Sequence, residues 1–243
     1  MQTKISVSII CLNEAGIIDE CLRQAARVAD EIVIVDSGST DKTLAIAEKH
    51  GAKIFHQDWL GYGKQKNYAL AQCANEWVLS LDADEVLTDD LIEELEQLDL
   101  GSDVVGYRVA RKLFVGDQFI CWGGYYPDYQ LRLFRNAVGG FNELAVHESV
   151  QLPAKSKIRN LKNPLDHFSY DSLEQMDAAF HKFAQLSTRK RNRLLNPFRA
   201  VFNFFYTFLN KYFLRLGFLH GVTGLRLAWI HSKYSFFKYI YRM

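Results

Sequence analysis

The chain has 243 residues, 49% of them hydrophobic, which is enough for one large domain or for one domain with an appendage. Its formal net charge is only +1, but the charges are unevenly distributed. All 28 acidic residues lie at or before Asp177 together with 17 basic ones, a net charge of −11. Residues 178–243 hold 12 basic residues and no acidic one. This asymmetry indicates an acidic body with a basic arm that faces anionic lipid or nucleic acid.

The cysteine spacing gives no sign of a disulfide framework. The four cysteines are widely spaced and form no CxxC pair, which favours reduced thiols in a cytosolic protein over disulfides or a zinc site. The apolar run 5–12 is too short for a signal peptide and leads directly into Asn13-Glu14, so we expect no signal peptide.

Strands and helices alternate in the first ninety residues. Apolar runs predict strands at 5–12, 31–36, 53–56 and 76–81, and helical spacing predicts helices at 17–28, 41–50 and 64–73. This order argues for a parallel sheet with right-handed crossovers. Further along, the pattern predicts an acidic helix at 91–98, strands at 104–114, 129–134 and 147–152 without helices between them, and a helix at 172–195. A mixed sheet edge is therefore expected.

Two of the predicted strands end in carboxylates. Asp36 ends the second strand, and Asp82 and Asp84 follow the fourth. Ligands in open α/β sheets bind beyond the carboxyl ends of the strands, so these three side chains should gather at one edge. Two carboxylates separated by one small residue suit a hard divalent cation, and that cation suits a phosphate. The alternative roles are local: Asp36 could cap its own turn, and the Asp82–Asp84 pair could cap the acidic helix.

Other polar residues near these strands have two interpretations each. Asn13 and Glu14 follow the first strand and are either a helix cap or ligand contacts. The segment 61–67 is neither a Walker loop nor a dinucleotide fingerprint; it is predicted to be a flexible lid with Lys66 near a phosphate, or else a solvated loop. Arg132 and Arg135 flank an apolar strand, where one could pair with a phosphate or an anionic acceptor, or both could form surface ion pairs.

The tail beyond Pro197 is aromatic and basic, with apolar residues at helical spacing. Its longest stretch without charge lies between Arg199 and Lys211 and has 11 residues. A membrane-spanning helix needs about 20. The pattern therefore favours a basic amphipathic helix lying in the membrane interface over one that only covers the protein's own core.

Four segments of the chain together match a known family. They are Asn13-Glu14, Val33-Ile34-Val35-Asp36-Ser37-Gly38-Ser39-Thr40-Asp41, Lys66-Asn67-Tyr68-Ala69 and Leu81-Asp82-Ala83-Asp84-Glu85. In this combination residues 5–150 resemble the inverting glycosyltransferases of family 2. The resemblance implies an α/β fold of the GT-A type, with a Rossmann-like, mostly parallel sheet and flanking helices. We expect this domain at 1–170 and a basic helical C-terminal region at 171–243.

The resemblance also implies a ligand set. It implies a nucleotide-sugar donor, usually UDP-linked, and a Mg²⁺ or Mn²⁺ ion. Asn13, Glu14 and Asp36 would contact the nucleoside, and we expect Lys66 to bind the donor as well. Asp82 would approach the ribose or the sugar, and Asp84 would ligate the metal.

Later segments resemble one branch of the family, the lipopolysaccharide core β-1,4-glucosyltransferases that add glucose to the first heptose. The segments are 129–135, 145–148 and 166–170. Many family members carry a Glu-Asp pair that includes the general base, and here Glu148 is its expected substitute. His147 is the expected second metal ligand and His167 its rival. Adjacent side chains of an extended segment point to opposite faces, which counts against His147 and Glu148 serving one site.

These inferences predict a peripheral enzyme at the cytoplasmic face of a bacterial inner membrane. It would move glucose from a UDP-sugar to an anionic lipopolysaccharide core acceptor on that membrane surface, without binding nucleic acid. One alternative is a transferase with a polyprenyl-phosphate or other glycolipid acceptor. A second, of a different class, is a basic membrane- or nucleic-acid-binding protein with an inactive α/β body.

Overall fold

The structure is a computed structural model that describes residues 4–101, 103–143, 148–186 and 196–241. The chain divides into two compact units. The first comprises residues 1–111 and 128–167, and the second comprises 112–127 and 168–243. The segment 112–127 therefore belongs with the second unit, although it lies inside the predicted domain 1–170.

Strands and helices alternate at the start of the first unit, as the sequence predicts. They are β1 (Ile5–Cys11), α1 (Ile18–Ala25), β2 (Glu31–Asp36), α2 (Thr43–Lys49), β3 (Lys53–His56), α3 (Tyr62–Gln72) and β4 (Trp77–Asp82). A short strand that the sequence did not indicate, β5 (Glu85–Leu87), precedes α4 (Asp89–Glu96). The elements that follow are β6 (Gly106–Val115), β7 (Gln118–Phe119), β8 (Asp128–Arg135), β9 (Gly140–Phe141), β10 (Val150–Gln151), β11 (Ile158–Asn160) and β12 (Leu165–Tyr170).

The centre of the sheet is parallel and its far side is mixed. Strands β3, β2, β1 and β4 lie in this order and all pair in parallel. Strand β8 then pairs antiparallel with β4, and β6 antiparallel with β8. The register pairs Cys11 with Asp36 and Ile10 with Asp82, so both aspartates lie at the carboxyl end of β1, one on each side. This arrangement confirms the predicted α/β fold class.

Alternating side chains of the strands supply two separate cores. Leu79 of β4 is fully buried in the larger cluster, which also contains Ile9 and Leu22, and Val78 is buried in a smaller cluster with Leu70 and Phe134. Adjacent strand residues point to opposite faces, so β4 has apolar neighbours on both sides. Strands buried on both faces lack polar alternation, which is why residues 77–81 form one nearly apolar run.

The second unit is mainly helical. It contains α5 (Leu173–Leu186), α6 (Asn196–Leu209), a π-helical turn (Asn210–Leu214), a 3₁₀ turn (Gly217–His220) and α7 (Gly221–Ile240). Its core consists of Val115, Ile120, Leu173, Met176, Leu227 and Ile230. Among the described helices, none combines the length and the apolar character that a membrane crossing requires.

Candidate active site

Hydrogen bonds join the loops that follow β1 and β2. Asn13 has a left-handed backbone with φ of 57°, its N–H donates to Ser39 Oγ at 2.9 Å, and its Oδ1 accepts the backbone N–H of Thr40 at 2.8 Å. Asp36 Oδ2 accepts the N–H groups of Gly38 at 2.8 Å and Ser39 at 2.9 Å. Burial alone would raise the pKa of Asp36, but the Ser39 hydroxyl, which donates to Oδ1, and these backbone N–H groups hold it below its ordinary value. Asn13 and Asp36 therefore shape the loops at this edge of the sheet.

Glu14 lies in an acidic environment between the same loops. Its backbone N–H donates to Thr43 Oγ1 at 2.8 Å, which fixes the start of the turn before α1. Burial, and then the carboxylates of Asp84 and Asp41, raise the pKa of Glu14 to about 7. The three carboxylates thus repel one another in the absence of a cation, because negative charges at close range disfavour further ionisation.

A buried lysine connects Asp82 to Glu148. Lys66 is only 5% exposed, and its Nζ lies 2.7 Å from Asp82 Oδ1 and 2.8 Å from Glu148 Oε1. Burial alone would lower the pKa of Lys66, but the attraction of Asp82 raises it. The structure therefore brings the expected general base next to the strand that ends in Asp82.

Two features hold α3 in the position that presents Lys66. Asn67 donates to the carbonyl oxygen of Phe141 at 2.9 Å and accepts the N–H of Phe141 at 2.7 Å. A Cβ atom added to Gly63 would lie 2.0 Å from the backbone oxygen of Asn142, so only glycine permits this close approach. The prediction of a flexible lid at 61–67 is therefore wrong: the helix begins at Tyr62 and is fixed to the segment before Glu148.

Two arginines from the antiparallel strands complete a buried ionic network. Arg132 of β8 contacts the carboxylates of Asp82 (2.6 Å) and Glu85. Arg111 of β6 lies 3.2 Å from Glu85 and 2.6 Å from Asp128. Burial would raise the pKa of Asp82, but Arg132 and Lys66 hold it well below its ordinary value. Asp82 is therefore a permanent anion shared between two cations.

Asp84 has a different environment from Asp82. Its Oδ2 lies 3.4 Å from Nε2 of His167, and its side chain is 27% exposed. Within the described ranges, no three His, Cys, Asp or Glu side chains are grouped closely enough to hold a metal ion by themselves. A Mg²⁺-type ion normally takes only one or two carboxylates from the protein and completes its shell with water and substrate phosphates. The Asp84 carboxylate fits that limited role and has the His167 imidazole beside it, whereas Asp82 is already neutralised.

The structure thus brings most of the predicted residues to one edge of the first unit. Asn13 and Asp36 lie in joined loops, Glu14 is close enough to Asp84 for their charges to interact, and Lys66 touches both Asp82 and Glu148. His147 lies outside the described residues, so its expected role as a metal ligand stays a prediction. Its rival His167 lies 3.4 Å from Asp84, and its role as a metal ligand likewise stays a prediction.

Sequence reasoning missed three members of the ionic network and misjudged a fourth. Glu85 is fully buried, although it follows the Asp82–Asp84 pair and resembles one more acid of an exposed loop. Arg111 and Asp128 were not singled out, since nothing in the sequence indicates that they pair across β6 and β8. For Arg132 the sequence left a surface ion pair open, but the side chain is only 5% exposed. The alternation along β8 was the available signal, because Arg135 on the opposite face forms the surface pair with Glu76.

Comparison with known proteins identifies the family. The model of the family described as "Glycosyl transferase family 2" matches residues 6–125. The lipopolysaccharide core biosynthesis glycosyltransferase LpsC of Rhizobium meliloti is 32% identical over 250 residues, which cover 96% of this chain and 89% of that protein. An uncharacterized glycosyltransferase of Rickettsia conorii is 33% identical over 234 residues, covering 91% and 83% of the two chains.

A solved structure supports the fold. The crystal structure of S. aureus TarS 1-349 in complex with UDP-GlcNAc is similar to this chain with a TM-score of 0.53 at 20% identity, over 95% of this chain and 79% of that one. At this level of identity the likeness concerns the fold alone, which is of the GT-A type. The family match and the LpsC relative show that this chain belongs to glycosyltransferase family 2.

Proposed function

We propose that this protein transfers glucose from UDP-glucose to an acceptor in the lipopolysaccharide core, with inversion at the anomeric carbon. The acceptor class is supported by the Rhizobium meliloti relative, a lipopolysaccharide core biosynthesis glycosyltransferase at 32% identity over nearly the whole chain. The UDP-linked donor is supported by the four matching segments between residues 13 and 85.

One observation carries the proposal: Lys66 contacts Asp82 and Glu148 at once, at 2.7 and 2.8 Å. Asp82 ends β4 at the edge of the sheet where ligands of α/β folds bind. Glu148 is far from Asp82 in sequence but shares its lysine, so a second carboxylate stands beside the donor site. An inverting transfer needs such a group to accept a proton from the incoming hydroxyl.

In the proposed reaction the acceptor hydroxyl attacks the anomeric carbon from the face opposite the leaving UDP. The new C–O bond forms as the bond to the phosphate oxygen breaks, and Glu148 takes the hydroxyl proton. Lys66 holds the Glu148 carboxylate through its hydrogen bond, and Arg132 with Lys66 keeps Asp82 ionised and fixed in orientation. A group held in position before the substrate arrives loses little entropy in the transition state.

Asp84 and His167 are the residues that would hold a divalent cation. When bound, Mg²⁺ or Mn²⁺ would neutralise charge that develops on the departing diphosphate. Glu14 is close enough to feel the same charges, since its pKa is raised to about 7 by burial and by the neighbouring Asp84 and Asp41, and a bound cation would favour its ionised form. A cation there would relieve the mutual repulsion of these carboxylates.

The proposed substrates also imply a location. A nucleotide sugar is soluble, whereas a lipopolysaccharide core acceptor is carried by a lipid. We therefore place the enzyme at the cytoplasmic face of the inner membrane, where it meets both. The tail with 12 basic residues and no acidic one is consistent with an anionic surface.

A transfer assay with the Glu148→Gln variant tests the proposal. The assay contains UDP-glucose, Mn²⁺ and a lipopolysaccharide core acceptor that lacks this glucose. Removing a general base typically costs about 10²–10⁴-fold in rate, so we expect transfer to fall by that factor while calorimetry shows UDP-glucose binding nearly unchanged. The product of the unmodified enzyme should carry a β-linked glucose, because the donor is α-linked.

Glu143→Gln is the matched control. Glu143 lies in the same segment, but its side chain is 64% exposed and its ion pair among the described residues is with Lys64, at 3.6 Å. Its substitution should leave transfer intact. An unchanged turnover in Glu148→Gln would remove Glu148 as the base, and an α-linked product would exclude inversion.

A further inference from the structure

Helix α6 of the second unit turns an apolar stripe outward. Phe198, Phe202 and Phe205 are 78%, 68% and 60% exposed. A helix that packs against its own protein normally directs its apolar side inward and its polar side to water. The outward stripe recurs at spacings of three and four residues along α6 and into the π-helical turn, and it consists of Phe198, Val201, Phe202, Phe205, Tyr206, Leu209 and Phe213.

The opposite face of α6 is already used within the unit. Phe204 contacts Trp229 of α7 edge to face with ring centroids 5.1 Å apart, and Thr207 Oγ1 donates to Ser235 Oγ at 3.0 Å. Ala200, on the same side, is fully buried. Because these contacts fix the rotation of α6, the outward stripe cannot turn inward without breaking the packing against α7.

The exposed apolar surface is large. Fourteen of the 23 large hydrophobic residues that are exposed in the described chain lie between Phe198 and Trp229. With roughly 100 Å² exposed for each member, the seven residues of the outward stripe present about 700 Å². The largest apolar patch of a typical monomer is about 300–600 Å² and often functional.

The charges around the outward stripe indicate which kind of partner it binds. The last acidic residues, Glu174 and Asp177, are paired with Arg226 and Lys233 of α7. Arg199 and Arg215 are exposed, and no carboxylate of the described residues lies within ion-pair distance of either. In the sequence, four more cations at residues 189–193 precede α6. A second copy of the chain would set one acid-free basic surface against another, whereas an anionic bilayer complements it.

We propose that the outward stripe of α6 inserts into the headgroup region of an anionic phospholipid bilayer, with α6 lying parallel to the membrane and Arg199 and Arg215 contacting lipid phosphates. Basic helices with one broad apolar face bind membranes in this way, by burying apolar area and by attraction to anionic lipids. The inference rests on the proposed function for the choice of compartment alone. It makes the basic, acid-free tail the part of the protein that meets the lipid carrying the acceptor.

Flotation of the full chain with lipid vesicles tests the inference, without donor or acceptor. The vesicles are phosphatidylcholine alone or phosphatidylcholine with phosphatidylglycerol. We expect the unmodified protein to float with the anionic vesicles, and the Phe202→Ser/Phe205→Ser double variant to lose about tenfold or more of its partitioning. Arg199→Glu should weaken binding to the anionic vesicles at low salt and have little effect at high salt, where surface charges are screened.

Matched controls separate the outward stripe from general effects. Val138→Ser removes an apolar residue of the first unit that is 41% exposed, and Lys49→Glu changes the net charge as much as Arg199→Glu does. Both should float like the unmodified protein. The substituted phenylalanines are exposed, so the double variant should also keep its melting temperature, which distinguishes lost binding from lost folding.

Three results would overturn the inference. The first is no flotation of the unmodified protein with either vesicle. The second is equal flotation of the double variant. The third is a dimer by light scattering that the double variant dissociates while no vesicle binds, which would assign the outward stripe to a second copy. Transfer to a delipidated core oligosaccharide is measured separately, so a failure of the proposed glycosyl transfer is recognised independently of vesicle binding.

Discussion

Lys66 Nζ and Asp82 Oδ1 form a 2.7 Å ion pair in which the lysine is almost completely buried. The same ammonium reaches Glu148 at 2.8 Å, and the other oxygen of Asp82 accepts from Arg132 at 2.6 Å. The end of β4 is thereby connected to α3, to β8 and to the segment that contains Glu148. Each of these links can be broken separately, and each break has its own expected result.

Replacing Lys66 should lower the free energy of unfolding. In Lys66→Met the Glu148 carboxylate loses its described cation, while Asp82 keeps Arg132. Breaking a buried ion pair typically costs about 3–5 kcal/mol, and we expect the lower end of that range because Arg132 remains. Urea unfolding measures the loss. Lys64→Met is the control, because Lys64 lies two residues earlier on α3 and its side chain is 55% exposed. It should change the free energy of unfolding by less than about 1 kcal/mol. Equal losses in the two variants would show that the buried ion pairs of Lys66 do not stabilise the fold.

Arg132 and Glu85 should be energetically coupled. Arg132→Met leaves Glu85 without one of its two arginines and Asp82 without one of its two close cations, so we expect a loss of about 3–5 kcal/mol. Adding Glu85→Gln removes one of the two negative charges that lose Arg132 as their partner. The double variant should therefore lose less than the sum of the single variants, by about 0.5–3 kcal/mol in a double-mutant cycle from urea unfolding. Strict additivity would show that the two side chains do not interact.

The second unit depends on glycine where the 3₁₀ turn meets α7. A Cβ atom on Gly224 would lie 1.8 Å from the backbone oxygen of Gly217, and backbone cannot move aside as a flexible side chain can. We expect Gly224→Ala to destabilise the protein by about 1–3 kcal/mol or more, although alanine is the better helix former. Gly16→Ala is the control, since apart from its neighbours in the chain no described residue has an atom within 4 Å of the added Cβ. Equal melting temperatures of the two variants would contradict the close contact between Gly224 and Gly217.

His220 should make the second unit sensitive to acid. Its Nε2 accepts the backbone N–H groups of Cys121 at 3.1 Å and Trp122 at 3.0 Å, which only a neutral nitrogen can do. Burial lowers the pKa of His220, so on acidification the unfolded chain takes up the proton before the folded one. The folded state then binds fewer protons, and stability is lost as the pH falls below about 6.5.

The His220→Gln variant isolates this effect, because a glutamine oxygen can accept the same hydrogen bonds and does not titrate. Its melting temperature should fall less between pH 7 and pH 5 than that of the unmodified protein. His220→Ala should be less stable at both values, since the two N–H groups lose their acceptor. Parallel pH curves for the unmodified protein and the glutamine variant would show that His220 does not titrate in this range.

The sequence was most informative where one local rule decides the structure. Carboxylates at the ends of apolar runs predicted the placement of Asp36 and Asp82, because parallel strands bring their carboxyl ends to one edge. Arg132 and Glu85 were harder to predict. Their burial depends on which strands pair across the sheet: alternation along β8 puts Arg132 and Arg135 on opposite faces, but it does not tell which of the two faces Glu85.

The tail shows a second limit of sequence reasoning. Helical spacing predicted apolar residues along α6, but spacing alone cannot tell which face packs inward when both faces are apolar. Lys211 illustrates the difficulty: a lysine of a basic tail is expected to face water, yet its Nζ lies 4.2 Å from the ring centroid of Tyr125 and donates to the carbonyl of Gly123 at 3.0 Å. Contacts that far apart in sequence become visible only in the folded chain.

In the proposed enzyme Asp82, Asp84 and Glu148 surround one sugar-nucleotide site with a divalent cation. Diffraction from crystals grown with UDP-glucose and Mn²⁺ tests it most directly, because manganese gives an anomalous signal that locates the ion. We expect an anomalous manganese peak within coordination distance of Asp84 and of the diphosphate, with the glucose between Asp82 and Glu148. A nucleotide bound away from the end of β4, or a manganese peak without Asp84 among its ligands, would contradict it.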